Sequence, residues 1–328
     1  MTVAPFSIPS PPIEWQIPIR IPLGEWLPFL GTGTVINIHT YALSIIVGII
    51  VATVLTDRRL RARGAEPGAV VDILIFAVPL GIIGARIWHV ATHPTDFFYE
   101  GADLWKVIAI WDGGGAIFGS LLFGGIGAWI GCQVSGIRFL SFADALAPGL
   151  LLAQGIGRLG NYFNHEIFGL PTSLPWGLEI PATNPAFPVG LPEGTLFHPT
   201  FLYEMLWNFV GAALIILIGR KLRLQWGKGF ALYLIWYGVG RSIFENIRLD
   251  PSEIVLGLRV NVWGALLAIV IGLLILVIQS VRHTGAEPSV YRPGREWLPP
   301  RAEVDSEDIY TDDDTDESAE PLPVSIKS

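Results

Sequence analysis

Long apolar segments recur along most of this chain, and they constrain its fold more than any other feature. A helix that spans a bilayer needs about 20 consecutive, mostly apolar residues. Seven segments approach this length, and they are Ile36–Thr56, Val70–His89, Gly113–Val134, Phe142–Leu159, Phe201–Gly219, Phe230–Phe244 and Val262–Val281. The fourth and sixth give the weakest signal, because arginines interrupt or bound them. We therefore predict an all-α membrane protein, a bundle of about seven transmembrane helices.

The charge composition agrees with this class. Only 15% of the 328 residues are charged, whereas a soluble domain carries roughly 25%. The formal net charge of −8 reflects the acidic C-terminus rather than the apolar body, so it does not point to a charged partner. We expect the lipid bilayer as a partner, and no nucleic acid.

Basic residues in the short connections predict the orientation of the helices, because cytoplasmic loops carry an excess of Lys and Arg. Such residues cluster after the first, third, fifth and seventh segments, at Arg58, Arg59, Arg61, Arg63, Arg138, Arg220, Lys221, Arg223, Lys228 and Arg282. If these connections lie inside, the N-terminus is external and the C-terminus is cytoplasmic.

The chain divides into three predicted regions. Residues 1–35 contain tryptophans and several prolines and are predicted to form an external interfacial segment. Residues 36–283 form the seven-helix membrane domain, which includes an external loop over residues 161–199, rich in Pro and Gly. Residues 284–328 are polar and strongly acidic, and this composition predicts a disordered cytoplasmic tail.

Charged side chains within predicted spans indicate a functional site, because burying them in a bilayer is costly. With the orientation above, Arg86, Arg158 and Arg241 fall in the outer halves of the second, fourth and sixth segments. On a helix, Tyr237, Arg241 and Glu245 lie one turn apart on one face. Arginine keeps its proton and binds phosphate through paired hydrogen bonds. The set therefore favours an anionic phospholipid ligand, and the alternative is snorkelling or pairing with nearby glutamates.

Three other patterns do not support a cofactor or a metal site. Gly155–Gly160 fits G-x-G-x-x-G, but an apolar helix precedes it where a dinucleotide fold requires a strand. His89 and His93 lack the glutamate of the zinc-protease motif, and Cys132 is the only cysteine. We expect no cofactor and no bound metal.

A dense run of polar and aromatic residues ends the fourth segment. The run Gly157–Gly169 resembles the signature of the prolipoprotein diacylglyceryl transferases. Further stretches agree in the family's order, and they are Gly84–Arg86, Trp111–Gly114, His198–Glu204, Tyr237–Glu245, Arg248 and Asp250–Pro251, with Tyr41 in the first segment. The resemblance covers about residues 30–283, nearly all of the predicted membrane domain.

This resemblance implies a fold of seven helices and a specific reaction. Family members transfer diacylglycerol from phosphatidylglycerol to the lipobox cysteine of a preprolipoprotein and release glycerol phosphate. This is the first step of bacterial lipoprotein maturation, and it implies a location in the bacterial plasma (inner) membrane with the active site towards the external face. By motif position, the catalytic residues would be Arg158, Arg241 and Tyr237. The substrate-binding residues would be Asn161, Glu166, Glu245, Tyr41, Arg86, His198 and Gly169.

One departure from the family pattern affects the expected mechanism. Many members carry a histidine in the third-helix region where this chain has Phe118, and phenylalanine cannot transfer a proton. A thiol with a pKa of about 8.5 is mostly protonated at neutral pH, so it needs a base or a positive field. His198, His165 and Tyr237 all remain candidates for the base.

Two other classes of function are alternatives to the transferase. A lipid or small-anion transporter would carry ionisable residues through the full membrane depth, or show two related halves. The polar groups here fall at one depth, and the chain shows no internal repeat. A non-catalytic scaffold would bind phosphatidylglycerol without consuming it.

Overall fold

The computed structural model describes residues 6–12, 19–22, 36–38, 40–110 and 115–298. Most of this part of the chain is helical. It contains seven α-helices, which are α1 Thr40–Arg61, α2 Ala69–Thr92, α3 Ile117–Val134, α4 Phe139–Phe163, α5 Thr200–Leu222, α6 Lys228–Glu245 and α7 Val260–Arg282. The predicted all-α bundle is confirmed.

Short antiparallel hairpins form the only sheets in the described ranges. Their strands are β1 Ile19–Ile21 with β2 Ile36–Ile38, β3 Leu178–Glu179 with β4 Leu196–Phe197, and β5 Ile254–Val255 with β6 Leu258–Arg259. The hairpin of β3 and β4 lies in the α4–α5 loop, where Leu178 pairs with Phe197. The hairpin of β5 and β6 connects α6 to α7.

Six of the described helices are long and apolar enough to cross a membrane, and they are α1 to α5 and α7. The exception is α6, which has 18 residues and includes Lys228, Arg241 and Glu245. These charged residues lower the mean hydropathy of α6, which corresponds to the sixth predicted segment, one of the two with the weakest signal in the sequence. The chain is a multi-pass membrane protein.

The helices alternate in direction, so the bundle has two ends with different composition. The "basic end" is where α1, α3, α5 and α7 finish, and it carries the arginine-rich connections. The "site end" is where α4 and α6 finish and α5 begins. Helix α4 is the central one, because it packs against α1, α5 and α6. In its most apolar stretch of 18 residues, 56% of the residues are buried inside the bundle, compared with 11% in that of α7.

Small residues allow α2 and α3 to pack at very short range. A Cβ atom built on Gly84 of α2 would lie 2.6 Å from the carbonyl oxygen of Gly119 in α3. Farther along, a Cβ atom on Gly127 would lie 2.5 Å from the carbonyl oxygen of Phe76. Lipid tails provide no hydrophobic drive for helix pairing, so membrane helices associate through such close backbone approaches.

Replacing Gly119 with alanine is expected to destabilise the bundle by about 1–3 kcal/mol, the usual cost of overpacking. The new methyl group would overlap the Gly84 backbone and the Trp88 side chain. Gly125 in the same helix has no atom within 4 Å of its Cβ position, so Gly125→Ala is the matched control. Thermal unfolding in detergent measures both variants, and equal midpoints would contradict the packing described here.

The chain after α7 packs against the basic end of the bundle. We call residues 284–297 the C-terminal strap. Within it, Val290 and Tyr291 are buried in a core cluster with Leu60 and Ile137. The Tyr291 hydroxyl accepts a hydrogen bond of 2.9 Å from the Glu66 backbone N–H. The described residues up to Trp297 form one compact unit.

Glu287 anchors the strap through charge. Its buried carboxylate pairs with Arg63 and, at 3.7 Å, with Arg138, and it accepts a hydrogen bond from the Ser141 hydroxyl. The sequence predicted a disordered tail from residue 284 onward, but residues 284–297 pack against the bundle. The more distal part of the predicted tail, residues 299–328, lies outside the described residues.

The described part of the N-terminal segment lies against the α4–α5 loop. Ile8 forms a parallel bridge with Leu178 of β3. The Tyr162 hydroxyl donates to the carbonyl oxygen of Pro9 at 2.8 Å, and His165 Nε2 lies 2.9 Å from that of Pro11. These contacts hold the chain start across the site end of the bundle.

Candidate active site

A buried carboxylate brings the two arginines predicted to be catalytic into one site. Glu204, in the second turn of α5, forms an ion pair of 2.6 Å with Arg158 Nη2 of α4. Glu204 also lies close enough to Arg241 of α6 to interact with it electrostatically. The site is therefore built from three helices. Sequence analysis had named Glu204 as a motif residue and as one of the glutamates with which the arginines could pair, but not as a site residue.

Arg158 also forms a hydrogen bond within the run Gly157–Gly169 at the end of α4, the run that resembles the family signature. Its Nη1 donates a hydrogen bond of 3.2 Å to Asn161 Oδ1, and Asn161 Nδ2 donates one of 2.8 Å to Glu166 Oε1. Asn161 is buried, and these bonds fix its orientation. The Arg158 side chain is 21% exposed, so the guanidinium is held in place yet accessible to a ligand.

Arg241 is held by a buried network centred on Glu245. The Glu245 carboxylate is fully buried, and its Oε2 lies 2.9 Å from Arg241 Nη2. This contact is an ion pair, but its angles do not form a hydrogen bond. Glu245 Oε1 forms an ion pair of 3.1 Å with Arg259 Nε and accepts a hydrogen bond of 2.9 Å from Asn261 Nδ2. Sequence analysis did not select Arg259 or Asn261, although two arginines in an otherwise nonbasic connection at the site end, Arg248 and Arg259, were a usable signal.

Arg259 also organises the α6–α7 connection. It donates hydrogen bonds to the carbonyl oxygens of Glu245, Arg248 and Asp250. Arg248 in turn binds both carboxylate oxygens of Asp250, at 2.6 and 3.0 Å. Burial opposes the charge of Arg248, but the hydrogen bonds and charge of Asp250 outweigh it and raise the pKa of Arg248.

A reciprocal pair of tryptophans joins α5 to α6 next to the site. The indoles of Trp207 and Trp236 stack with centroids 4.3 Å apart. Each indole N–H donates to the backbone carbonyl of the other residue, at 3.2 and 3.0 Å. Buried indole N–H groups require such partners. Because Trp207 lies one turn after Glu204 and Trp236 precedes Arg241, the pair sets the spacing between these two charged groups.

Tyr237 and Tyr41 both lie at the site end. Tyr237 is one turn before Arg241 on α6, interacts electrostatically with it, and stacks on Tyr233 with ring centroids 6.1 Å apart. The Tyr41 ring packs directly on Gly160, where any side chain would overlap it. Tyr41 therefore packs on the side of α4 that faces α1, and the two-residue step from Arg158 to Gly160 places that side away from the Arg158 side chain.

Gly169 and His198 form a backbone junction rather than a cluster of side chains. The Gly169 N–H donates to the His198 carbonyl oxygen at 2.9 Å. A Cβ atom on Gly169 would lie 2.8 Å from the His198 Cβ and 3.0 Å from the Ile247 carbonyl oxygen. The His198 ring contacts Tyr203, whose hydroxyl is 3.3 Å from Nδ1. The glycine is thus required for close packing of three segments.

Arg86 makes its observed contacts with the α2–α3 connection. Its Nε donates to the Val107 carbonyl oxygen at 2.9 Å, its Nη2 donates to that of Lys106, and its guanidinium lies 5.0 Å from the centroid of the Phe97 ring. These contacts give Arg86 a structural role in holding this connection. The Trp111–Gly114 motif lies outside the described residues.

Phe118 occupies the first turn of α3 and contacts other apolar groups. Its ring centroid is 6.4 Å from that of Trp88, and its edge approaches Gly264 of α7. The side chain, which is 42% exposed, therefore lies against α2 and α7 without being buried between them. Among the residues that the structure describes, no cluster of three or more His, Cys, Asp or Glu side chains is arranged to hold a metal ion.

These features define a class of protein: a multi-pass membrane bundle with a partly accessible arginine and carboxylate site at one end. Comparison with known proteins gives the family. Residues 29–278 match the family model described as prolipoprotein diacylglyceryl transferase. The chain belongs to the prolipoprotein diacylglyceryl transferase family, in agreement with the resemblance found in its motifs.

Individual relatives match over most of their length. The phosphatidylglycerol--prolipoprotein diacylglyceryl transferase of Leifsonia xyli subsp. xyli is 58% identical over 321 residues, which cover 94% of this chain and 93% of that protein. The protein of the same name from Bifidobacterium longum is 44% identical over 79% of this chain and 85% of its own length. Phosphatidylglycerol--prolipoprotein diacylglyceryl transferase 2 of Streptomyces coelicolor is 43% identical, with coverage of 80% and 83%.

Proposed function

We propose that this chain transfers the diacylglyceryl group of phosphatidylglycerol to the thiol of the lipobox cysteine in preprolipoproteins. The names of its relatives give the two substrates. The observation that carries the proposal is the placement of two arginines near one buried carboxylate at the end of a membrane bundle: Glu204 forms an ion pair with Arg158 and interacts electrostatically with Arg241. A phosphate group at the bilayer surface is the ligand that such a pair of guanidinium groups fits.

The reaction breaks one bond and forms one bond at a single carbon. The thiol sulfur attacks the glyceryl carbon that carries the phosphodiester oxygen. The carbon–oxygen bond breaks, its electron pair stays on the oxygen, and glycerol phosphate leaves. Negative charge therefore grows on the phosphate, and Arg158 and Arg241 neutralise it from fixed positions in a water-poor site.

The remaining predicted residues support these two guanidinium groups. Asn161 and Glu166 orient Arg158, as their hydrogen bonds indicate. Glu245, one turn after Arg241 on α6, orients Arg241 through their ion pair. In this proposal, Tyr41 and Tyr237 line the lipid site, and Gly169 and His198 shape the loop over it. Pre-alignment of this kind supplies catalysis without reorganisation during the reaction.

Transfer to a peptide tests the proposal directly. Purified protein in phosphatidylglycerol vesicles is incubated with a lipobox peptide, and the peptide should gain the mass of one diacylglyceryl group while glycerol phosphate appears in the supernatant. Phosphatidylethanolamine vesicles and a peptide with serine in place of the cysteine are the controls. Phosphatidylglycerol that binds but is never consumed would support a scaffold instead.

We further propose that the site end faces outward from the bacterial plasma membrane and that the basic end is cytoplasmic, as the positive-inside rule favours. Glu193, in the α4–α5 loop, and Arg223, after α5, are exposed residues at opposite ends. In a chain carrying Cys132→Ala, a membrane-impermeant thiol reagent added to intact cells should label Glu193→Cys and spare Arg223→Cys. The reverse labelling pattern would overturn this orientation.

A further inference from the structure

Glu204 has a buried carboxylate oxygen that no group of the described structure satisfies. Its side chain is 6% exposed. Oε2 pairs with Arg158, whereas Oε1 is buried and lacks a hydrogen-bond partner. Buried polar groups are nearly always paired, because an unpaired one loses its hydration without compensation. The missing partner of Oε1 is therefore a hydrogen-bond donor that the described protein does not supply.

The surroundings of Glu204 place this oxygen where the phosphate would bind. Besides its contact with Arg158, Glu204 interacts electrostatically with Arg241 and with Arg248. A carboxylate among arginines is not needed for binding an anion, because it competes with the anion for the same positive charge. Its presence there suggests a role in the reaction rather than in lipid binding alone.

The reaction also needs an acceptor for the thiol proton. Phe118 stands at the position where the family resemblance predicts a histidine for this chain. His165 is buried with Nε2 against the Pro11 carbonyl oxygen, and the His198 ring contacts Tyr203. An unpaired carboxylate oxygen is the simplest acceptor that the described site presents.

We propose that Glu204 Oε1 accepts the proton of the substrate thiol, an inference that rests on the transferase function above. The sulfur–hydrogen bond breaks and the proton moves to Oε1. The sulfur electron pair forms the bond to the glyceryl carbon, and the carbon–oxygen bond to phosphate breaks. Afterwards the protonated carboxyl group returns its proton to the released phosphate or to water.

This step couples proton transfer to stabilisation of the leaving group. In the free protein, Glu204 and Arg158 neutralise each other through their ion pair. The phosphodiester draws Arg158 towards itself on binding, which uncovers the carboxylate for the thiol. When Glu204 gains the proton and becomes neutral, the full charge of Arg158 becomes available to the phosphate just as negative charge grows there.

The test is Glu204→Gln, which keeps the shape of the side chain and removes the acceptor. A thiol with a pKa of about 8.5 is only about 3% ionised at neutral pH, so kcat for the cysteine peptide should fall roughly thirtyfold. The loss should diminish as the pH rises towards about 9, because the thiol then ionises without help. A selenocysteine peptide, whose selenol is already ionised at neutral pH, should be modified at close to the wild-type rate.

The control is Glu179→Gln, the same substitution at a carboxylate of β3 that accepts a hydrogen bond from the Ser7 hydroxyl. It should keep the wild-type pH profile. Equal losses with the cysteine and selenocysteine peptides in Glu204→Gln, or an unchanged pH profile, would overturn the inference. If Glu204→Gln does not fold, Glu204→Asp is compared on the same two peptides, with the same criterion. A wild-type protein that modifies no peptide would instead overturn the proposed transferase function.

Discussion

Replacing Arg158 with alanine is expected to reduce the rate of diacylglyceryl transfer roughly 10²–10³-fold, the usual cost of removing a pre-aligned electrostatic donor. The guanidinium binds Glu204 and Asn161 through different nitrogens, and it is partly accessible to a ligand. Without it, the charge on the leaving phosphate loses one of two fixed counter-charges. The transfer rate of Arg158→Lys should fall between those of the wild-type protein and Arg158→Ala, because an ammonium group restores the charge but not the planar paired donors.

Steady-state kinetics with the lipobox peptide measure this effect. The matched control is Arg61→Ala at the basic end, where the side chain is 54% exposed and its ion pair with Asp57 spans 3.7 Å. Exposed pairs of this kind contribute little to stability, so this variant should keep wild-type activity. Full activity in correctly inserted Arg158→Ala would show that the phosphate binds elsewhere.

Replacing Glu245 with alanine is expected to destabilise the site end by about 3–5 kcal/mol, because it leaves Arg241 and Arg259, whose side chains are only 14% and 19% exposed, without their buried counter-charge. Glu245 is fully buried, and its carboxylate contacts Arg241, Arg259 and Asn261. Activity should be lost together with folded protein, since Arg241 loses the group that orients it. Thermal unfolding in detergent and the yield of monodisperse protein measure the change.

Glu253 provides the comparison for this prediction. It lies in the same α6–α7 connection, but its side chain is exposed, so Glu253→Ala should change stability by no more than about 0.5 kcal/mol. If Glu245→Ala unfolds at the wild-type temperature, the buried network does not hold Arg241 in place. The carboxylate would then be an ordinary helix-pairing residue.

Hydropathy predicted the helices well because each one had to satisfy the length and apolarity that a bilayer imposes. It was weakest at α6, where Arg241 and Glu245 interrupt the pattern, and these two residues belong to the site. Helix α4 extends to Phe163, beyond the predicted end at Leu159. Arg158 and Asn161 therefore share a rigid helical frame instead of lying at the edge of a loop.

The C-terminal strap shows what composition alone does not reveal. Its few apolar residues, such as Val290 and Tyr291, have no helical or strand periodicity within a polar stretch. They are ordered by sites on distant connections, including the Glu66 backbone and Arg138. Long-range pairing of this kind leaves no local signal in the sequence.

The candidate site was predictable in part. The motif run placed Arg158, Asn161 and Glu166 together, and the structure joins them by hydrogen bonds. The links between helices, through Glu204 and Arg259, depend on tertiary packing and were not selected. Arg86 had been grouped with the other arginines by depth and by the Gly84–Arg86 motif, whereas the contacts described for it are with the α2–α3 connection.

The central claim is that Arg158 and Arg241 together hold the phosphate of phosphatidylglycerol. Native mass spectrometry of purified protein titrated with phosphatidylglycerol measures this binding without requiring turnover. We expect the wild-type protein and Arg61→Ala to retain one lipid at low concentration, and the double variant Arg158→Ala, Arg241→Ala to lose it while remaining folded. Equal retention of phosphatidylglycerol by the folded double variant would contradict the claim.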